Sequence, residues 1–223
     1  MSKIRNVAVL TACLLSASAA HAQLGGLGGM LGAKSAGSNT DISADISTFV
    51  TQSNALRELT SRSVIAINAA FLSAGESEAR RAAFDAANAL TNVNEKQAKL
   101  NELYESNAAE LERRVKSGEA KEQMGKLDAA KKKQIGDALM NFGIGSLQAV
   151  VLTKTGQSLL QKAGANPMNV TKMMPVKDAL PVLGRVVSDA GGFMVGVGKL
   201  AKGANIEVPA VKADSKPVEV SFS

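Results

Sequence analysis

The side chains best suited to catalysis or metal binding are few and sit at one end of the chain. There is one cysteine, Cys13, one histidine, His21, and no tryptophan in 223 residues. Both lie in a segment that reads as a secretory signal. Lys3 and Arg5 form a positive n-region, Val7 to Leu15 an apolar h-region, and Ala20-His21-Ala22 an A-x-A cleavage site ahead of Gln23. Cleavage at Ala22/Gln23 removes residues 1–22 and with them every thiol and imidazole. A Ser-His-Asp triad, a Cys-His pair and a His/Cys metal site are then all excluded from the mature chain. One competing reading keeps Cys13: Leu10-Thr11-Ala12-Cys13 has the form of a lipobox, whose processing leaves a lipidated N-terminal cysteine. The apolar stretch ahead of it is short, and the apolar run continues to the A-x-A site, so the soluble cut is the preferred expectation. The h-region is too short to span a bilayer.

Carboxylates are the remaining acid/base groups. Asp41 with Asp45 and Glu76 with Glu78 are the close pairs, and both fall in expected first helical turns. Acids are favoured there simply because they oppose the positive end of the helix dipole. The stretch 191–200 looks like a phosphate loop at first, but Phe193 stands where its first glycine belongs and Leu200 where a magnesium-holding Ser or Thr belongs. Ser146 sits in Gly145-Ser146-Leu147, which is not a nucleophile elbow. No oxygen-rich calcium loop is present. The sequence therefore nominates no catalytic residue, no cofactor, no metal and no small-molecule substrate, and the expectation is a non-enzyme.

Charge separates two regions. Residues 94–133 hold 10 basic and 8 acidic residues, well mixed and ending in Lys131-Lys132-Lys133. Without interleaved aromatics this is a solvated helix surface, not a nucleic-acid footprint. Over 138–202, seven cations (Lys154, Lys162, Lys172, Lys177, Arg185, Lys199 and Lys202) face only Asp178 and Asp189. The same region carries the apolar run Ala138 to Leu152 and the small-xxx-small pair Gly192/Gly196. Apolar helices with cationic flanks suit an anionic membrane surface, and Gly-x-x-x-Gly suits close helix packing. Gly192, Gly196, Lys199 and Lys202 are thus the candidate residues for helix packing or membrane contact. Neither stretch is expected to span a bilayer unaided, the first being about 15 residues and the second broken by Arg185 and Asp189. The plainer reading is that both are central helices of a bundle.

The elements that must carry these residues are helical. Aromatics are 3% of the chain, so the core is built from aliphatic and small side chains. A first helix is expected over about 41–73, on the stripe Ile42, Ile46, Phe49, Leu56, Leu59 and Ile67, with Thr40 or Asp41 as its cap. Ser73-Ala74-Gly75-Glu76 has capping-box form and opens a second helix over about 76–116, with a kink near Asn92 and Asn94. Its later half has a heptad-like seam, Val93, Gln97, Leu100, Tyr104, Asn107, Leu111 and Val115. A third helix is expected over about 119–163. Its Gly136, Gly143, Gly145 and Gly156 each cost about 1 kcal/mol relative to alanine, so kinks or close contacts are expected there. A fourth over 176–202 shows the stripe Val176, Leu180, Leu183, Val187, Ala190, Met194, Val197 and Ala201. Beyond Gly203, residues 206–208 and 218–222 alternate like short strands bounded by Pro209 and Pro217.

The expected architecture is an all-α, antiparallel bundle of about four main helices with long coiled-coil-like segments. Its parts are a cleaved signal peptide (1–22), a flexible Gly-rich leader (23–40), the helical domain (41–202) and an extended tail (203–223). The functional expectation is an exported protein, periplasmic or secreted, that acts through an envelope protein partner or self-association. Polar seam positions such as Gln97 and Asn107, which set pairing register in coiled coils, favour that reading. The alternative is a membrane-active or lipid-binding protein using 138–202. Nucleic acid is not an expected partner.

Overall fold

A computed structural model describes residues 42–164, 167–212 and 215–222. The signal peptide, the lipobox reading of Cys13, the Gly-rich leader and the cap assigned to Thr40 or Asp41 lie outside the described residues. Within them the protein is all-helical, with no strand.

Helix α1 spans Ser43–Ala69. Each of its six stripe residues is buried, from Ile42 to Ile67. It ends before Ser73, whose side chain and that of Glu76 form the reciprocal capping box that opens α2, Ala74–Asn88. The single helix expected over 76–116 is divided. Asn92 accepts hydrogen bonds from the N–H groups of Asn94 (3.0 Å) and Glu95 (3.3 Å) and starts α3, Val93–Ser117. A capping side chain satisfies the orphan amides of a new helix better than a kink would. Gly118, at φ 82°, takes the left-handed turn after α3 and leads into the short α4, Glu119–Met124. The helix expected over 119–163 is divided as well. Asp128 accepts from the Lys131 N–H (2.8 Å), and α5 then runs unbroken over Ala129–Gly164. The short α6 (Pro167–Val170) and a 3-10 turn (Thr171–Met173) lead to α7, Met174–Gly191. Gly192, at φ −95° and ψ −119°, leaves helical geometry and separates α7 from α8, Phe193–Gly203.

Paired contacts fix the helix directions. Ser61 donates to the Leu100 carbonyl and Asn68 to the Asn107 side chain, both across 39 residues, so α1 and α3 run the same way. Along α1 and α5 the order reverses. A Cβ on Gly145 would meet Thr60, whereas one on Gly156 would meet Phe49 at 3.0 Å. The α5 glycines are therefore points of close approach to α1, to Leu180 of α7 and to the tail. Phe49, Leu56, Ile67, Leu111, Leu152, Leu183 and Val197 form one continuous core with both tail residues Ile206 and Val220. Burying side chains of this kind contributes about 1.5–3 kcal/mol each. The tail segments that alternate like strands pair with no strand among the described residues; the Ile206 N–H donates to the Ala201 carbonyl, and helix side chains take backbone groups of Val218 and Val220.

Candidate interaction surface

The region that charge and hydropathy single out, 138–202, folds as α5 and α7–α8. All eight stripe residues of 176–201 are buried or pack against the core. A polar cluster on the same side fixes the orientation of α7. Asp189 is 6% exposed, and its Oδ2 accepts from the Tyr104 hydroxyl (2.7 Å) and from Arg185 Nε (3.0 Å). Burial, then the bond to Asp189, push the Tyr104 hydroxyl far above its ordinary range. The bond to Asp189 and its charge raise Arg185. A buried carboxylate is tolerated because both partners neutralise or bond it. Asp189, which in sequence looks like a charge interrupting an apolar helix, is thus the group that pins α7 to α3.

That pinning decides which way the candidate residues face. Gly196 turns inward, and a Cβ there would meet Val115 at 3.0 Å, so this glycine serves helix packing within the chain. Gly192 marks the α7–α8 break and is exposed, as are Lys199 and Lys202. Gly192 and Gly196 do not form a matched packing pair, because the helix is broken at Gly192. Exposed residues include Met174, Pro181, Arg185 and Ser188 on α7 and Val195 and Lys199 on α8. Met174 is 60% exposed and Val195 45%.

By length and composition, residues 129–164 and 171–203 are each apolar enough to cross a membrane. By this measure both stretches depart from the expectation that neither is long and apolar enough to span. The first qualifies as part of the 36-residue α5, whose apolar run Ala138 to Leu152 gives way at Thr153 to Lys154, Thr155, Gln157, Ser158, Gln161 and Lys162. Half of the apolar window of 129–164 is buried inside the protein, against 28% of that of 171–203. The second is therefore the less covered of the two.

The α3 seam behaves differently from the expectation that it offers a partner surface. Gln97, Leu100, Tyr104, Asn107 and Leu111 are buried within this chain, while Val93 at its start is exposed. Asn107 accepts from Asn68 and from Arg80 (both 3.0 Å) and donates to the Leu103 carbonyl. Glu110 pairs with Arg80 and Arg114 (both 2.8 Å), and Arg114 also pairs with Glu119. Burial alone would raise the Glu110 carboxyl. The bonds from Arg114 and Asn68, with the charge of Arg80, outweigh it and hold the group below its ordinary value. This network ties α1, α2, α3 and α4 together. Sequence reading saw Asn107 but not its partners; Asn68, a lone polar residue in the run Val64 to Ala70, was the available signal.

Among the described residues no group of His, Cys, Asp and Glu could hold a metal ion. No family model, characterised protein or solved structure matches the chain.

Proposed function

We propose that the mature chain is an exported helical-bundle protein, periplasmic or secreted, without catalytic chemistry, that docks a helical face on a protein partner in the bacterial envelope. The observation that supports this is a pair of exposed apolar side chains, Met174 at the start of α7 and Val195 on α8, on helices held to the core, α7 through Asp189. Exposed apolar side chains on a firmly positioned helix are a feature of interaction surfaces. The experiment is capture from envelope extract, with light scattering in parallel, comparing purified residues 23–223 with the Met174→Asp/Val195→Asp variant. The proposal expects a defined partner or oligomer whose recovery falls with the variant. Absence of both, or equal recovery by the variant, refutes it.

A second reading rests on a separate observation, the exposed Lys177, Lys199 and Lys202 on the same two helices. Cations flanking apolar side chains suit an anionic bilayer surface. Co-sedimentation with anionic and neutral liposomes at low and high salt separates the two readings. Salt-sensitive binding to anionic vesicles, weakened by Lys199→Glu/Lys202→Glu, supports the membrane; no binding at any salt removes it.

A further inference from the structure

The C-terminal segment is held by helix side chains in the manner of a strand added to a sheet edge. Asn141 on α5 makes a two-way pair with Val218: Nδ2 donates to the Val218 carbonyl (2.7 Å), and the Val218 N–H donates to Oδ1 (2.9 Å). Arg62 on α1 donates from Nη2 to the Val220 carbonyl at 3.0 Å. Val220 is 1% exposed, while Glu219 and Ser221 point to solvent. Phe222 packs against the cluster of Ile65, Phe84, Ala87 and Leu100. The Arg62 guanidinium lies 5.8 Å from the Phe222 ring and 6.0 Å from the Phe84 ring.

Backbone-directed bonds, one buried aliphatic side chain and one aromatic contact make a peptide-recognition arrangement. It holds the backbone of Val218 and reads the side chains of Val220 and Phe222, and none of its contacts requires the segment to belong to the same polypeptide. The tail has a separate anchor upstream. The Ile206 N–H donates to the Ala201 carbonyl (2.9 Å), and Ile206 is 6% exposed. Fully extended, a chain of the length from Ile206 to Phe222 would reach at most about 50 Å, enough to meet a neighbouring molecule.

We propose that the groove between α1, α2 and α5 is a binding site for an extended C-terminal segment, and that it exchanges its own tail for that of a second copy of this chain. Exchange replaces every contact with an identical one, which makes swapping of a terminal element a low-cost route to a dimer. This inference does not use the α7–α8 face, so its failure leaves that reading standing.

The test uses residues 23–223 with benzoylphenylalanine in place of Phe222, mixed with a ¹⁵N-labelled copy and irradiated. Exchange is shown by mixed-isotope cross-links joining the tail of one copy to α1 or α2 of the other, increasing with concentration. A synthetic 215–222 peptide in excess, competing for the groove of the labelled protein, is expected to lower them as its concentration rises. Cross-links confined within single chains at every concentration, in protein with intact helical circular dichroism, overturn the proposal. Mixed cross-links unaffected by the peptide overturn it equally.

Discussion

Tyr104 is the only tyrosine in the chain, and it is 3% exposed with its hydroxyl 2.7 Å from the Asp189 carboxylate. An ionised tyrosine there would lose its hydration and face a negative partner, so the folded chain holds the phenol proton above the ordinary range. The unfolded chain releases that proton near pH 10. Below that pH the two states bind it equally and stability is unaffected. Above it the unfolded state carries one proton fewer, and stability falls with a slope approaching about 1.4 kcal/mol per pH unit, a total of about 2–3 kcal/mol by pH 12. The assay is tyrosinate absorbance at 295 nm followed beside helical circular dichroism. The phenol signal is expected to stay flat through pH 10 and to rise only together with loss of helix. Lysines titrate in the same range, so Tyr104→Phe is the control. It loses about 1–3 kcal/mol at neutral pH, from a buried carboxylate deprived of a donor, but is expected to lack the tyrosine contribution to the alkaline slope. A tyrosinate transition centred near pH 10 with the helices intact would refute the burial and the pairing of Tyr104 with Asp189.

Three further outcomes follow from other parts of the fold. Gly136→Ala sets a helix-propensity gain of about 1 kcal/mol against a Cβ that would overlap the Glu207 carbonyl oxygen, and overpacking of this kind costs about 1–3 kcal/mol. Net destabilisation with loss of hydrogen-exchange protection at Ile206 is expected; a more stable variant with an unchanged tail contradicts the packing. Ser73→Ala breaks the capping box and is expected to cost about 1 kcal/mol, read as faster amide exchange in the first turn of α2. Glu110 has a lowered carboxyl in the folded chain, so its contribution is present above the unfolded value near pH 4.3 and is lost as pH falls through the folded one. Glu110→Gln should therefore flatten the acid limb of stability, and an unchanged limb in urea titrations would argue against the network.

Residues 42–67 and 176–201 show how far periodicity reaches. A buried helical face must repeat every three to four residues, and those stripes are the ones found in the core or packed against it. Ser73 and Glu76 were legible for the same local reason, since a capping box closes within four residues. The helix breaks at Asn92, Asp128 and Gly192 were less legible, because each residue type is also tolerated inside a helix and neighbouring packing decides between the two uses.

What the sequence determined by itself is what nearest neighbours along the chain can fix: helical class, buried stripes, and a first-turn cap. Only the tertiary structure decided the rest, because it depends on partners 39 to 158 residues apart. Asp189 became a buried anchor because Tyr104 lies across from it. Gly196 became a packing contact because Val115 fills its space, and the α3 seam was taken up inside the chain because α1 runs alongside it. The strand-like tail gained helix side chains as its partners because Asn141 and Arg62 meet its backbone groups. Unpaired peptide groups must be satisfied somewhere, and sequence alone does not say by what.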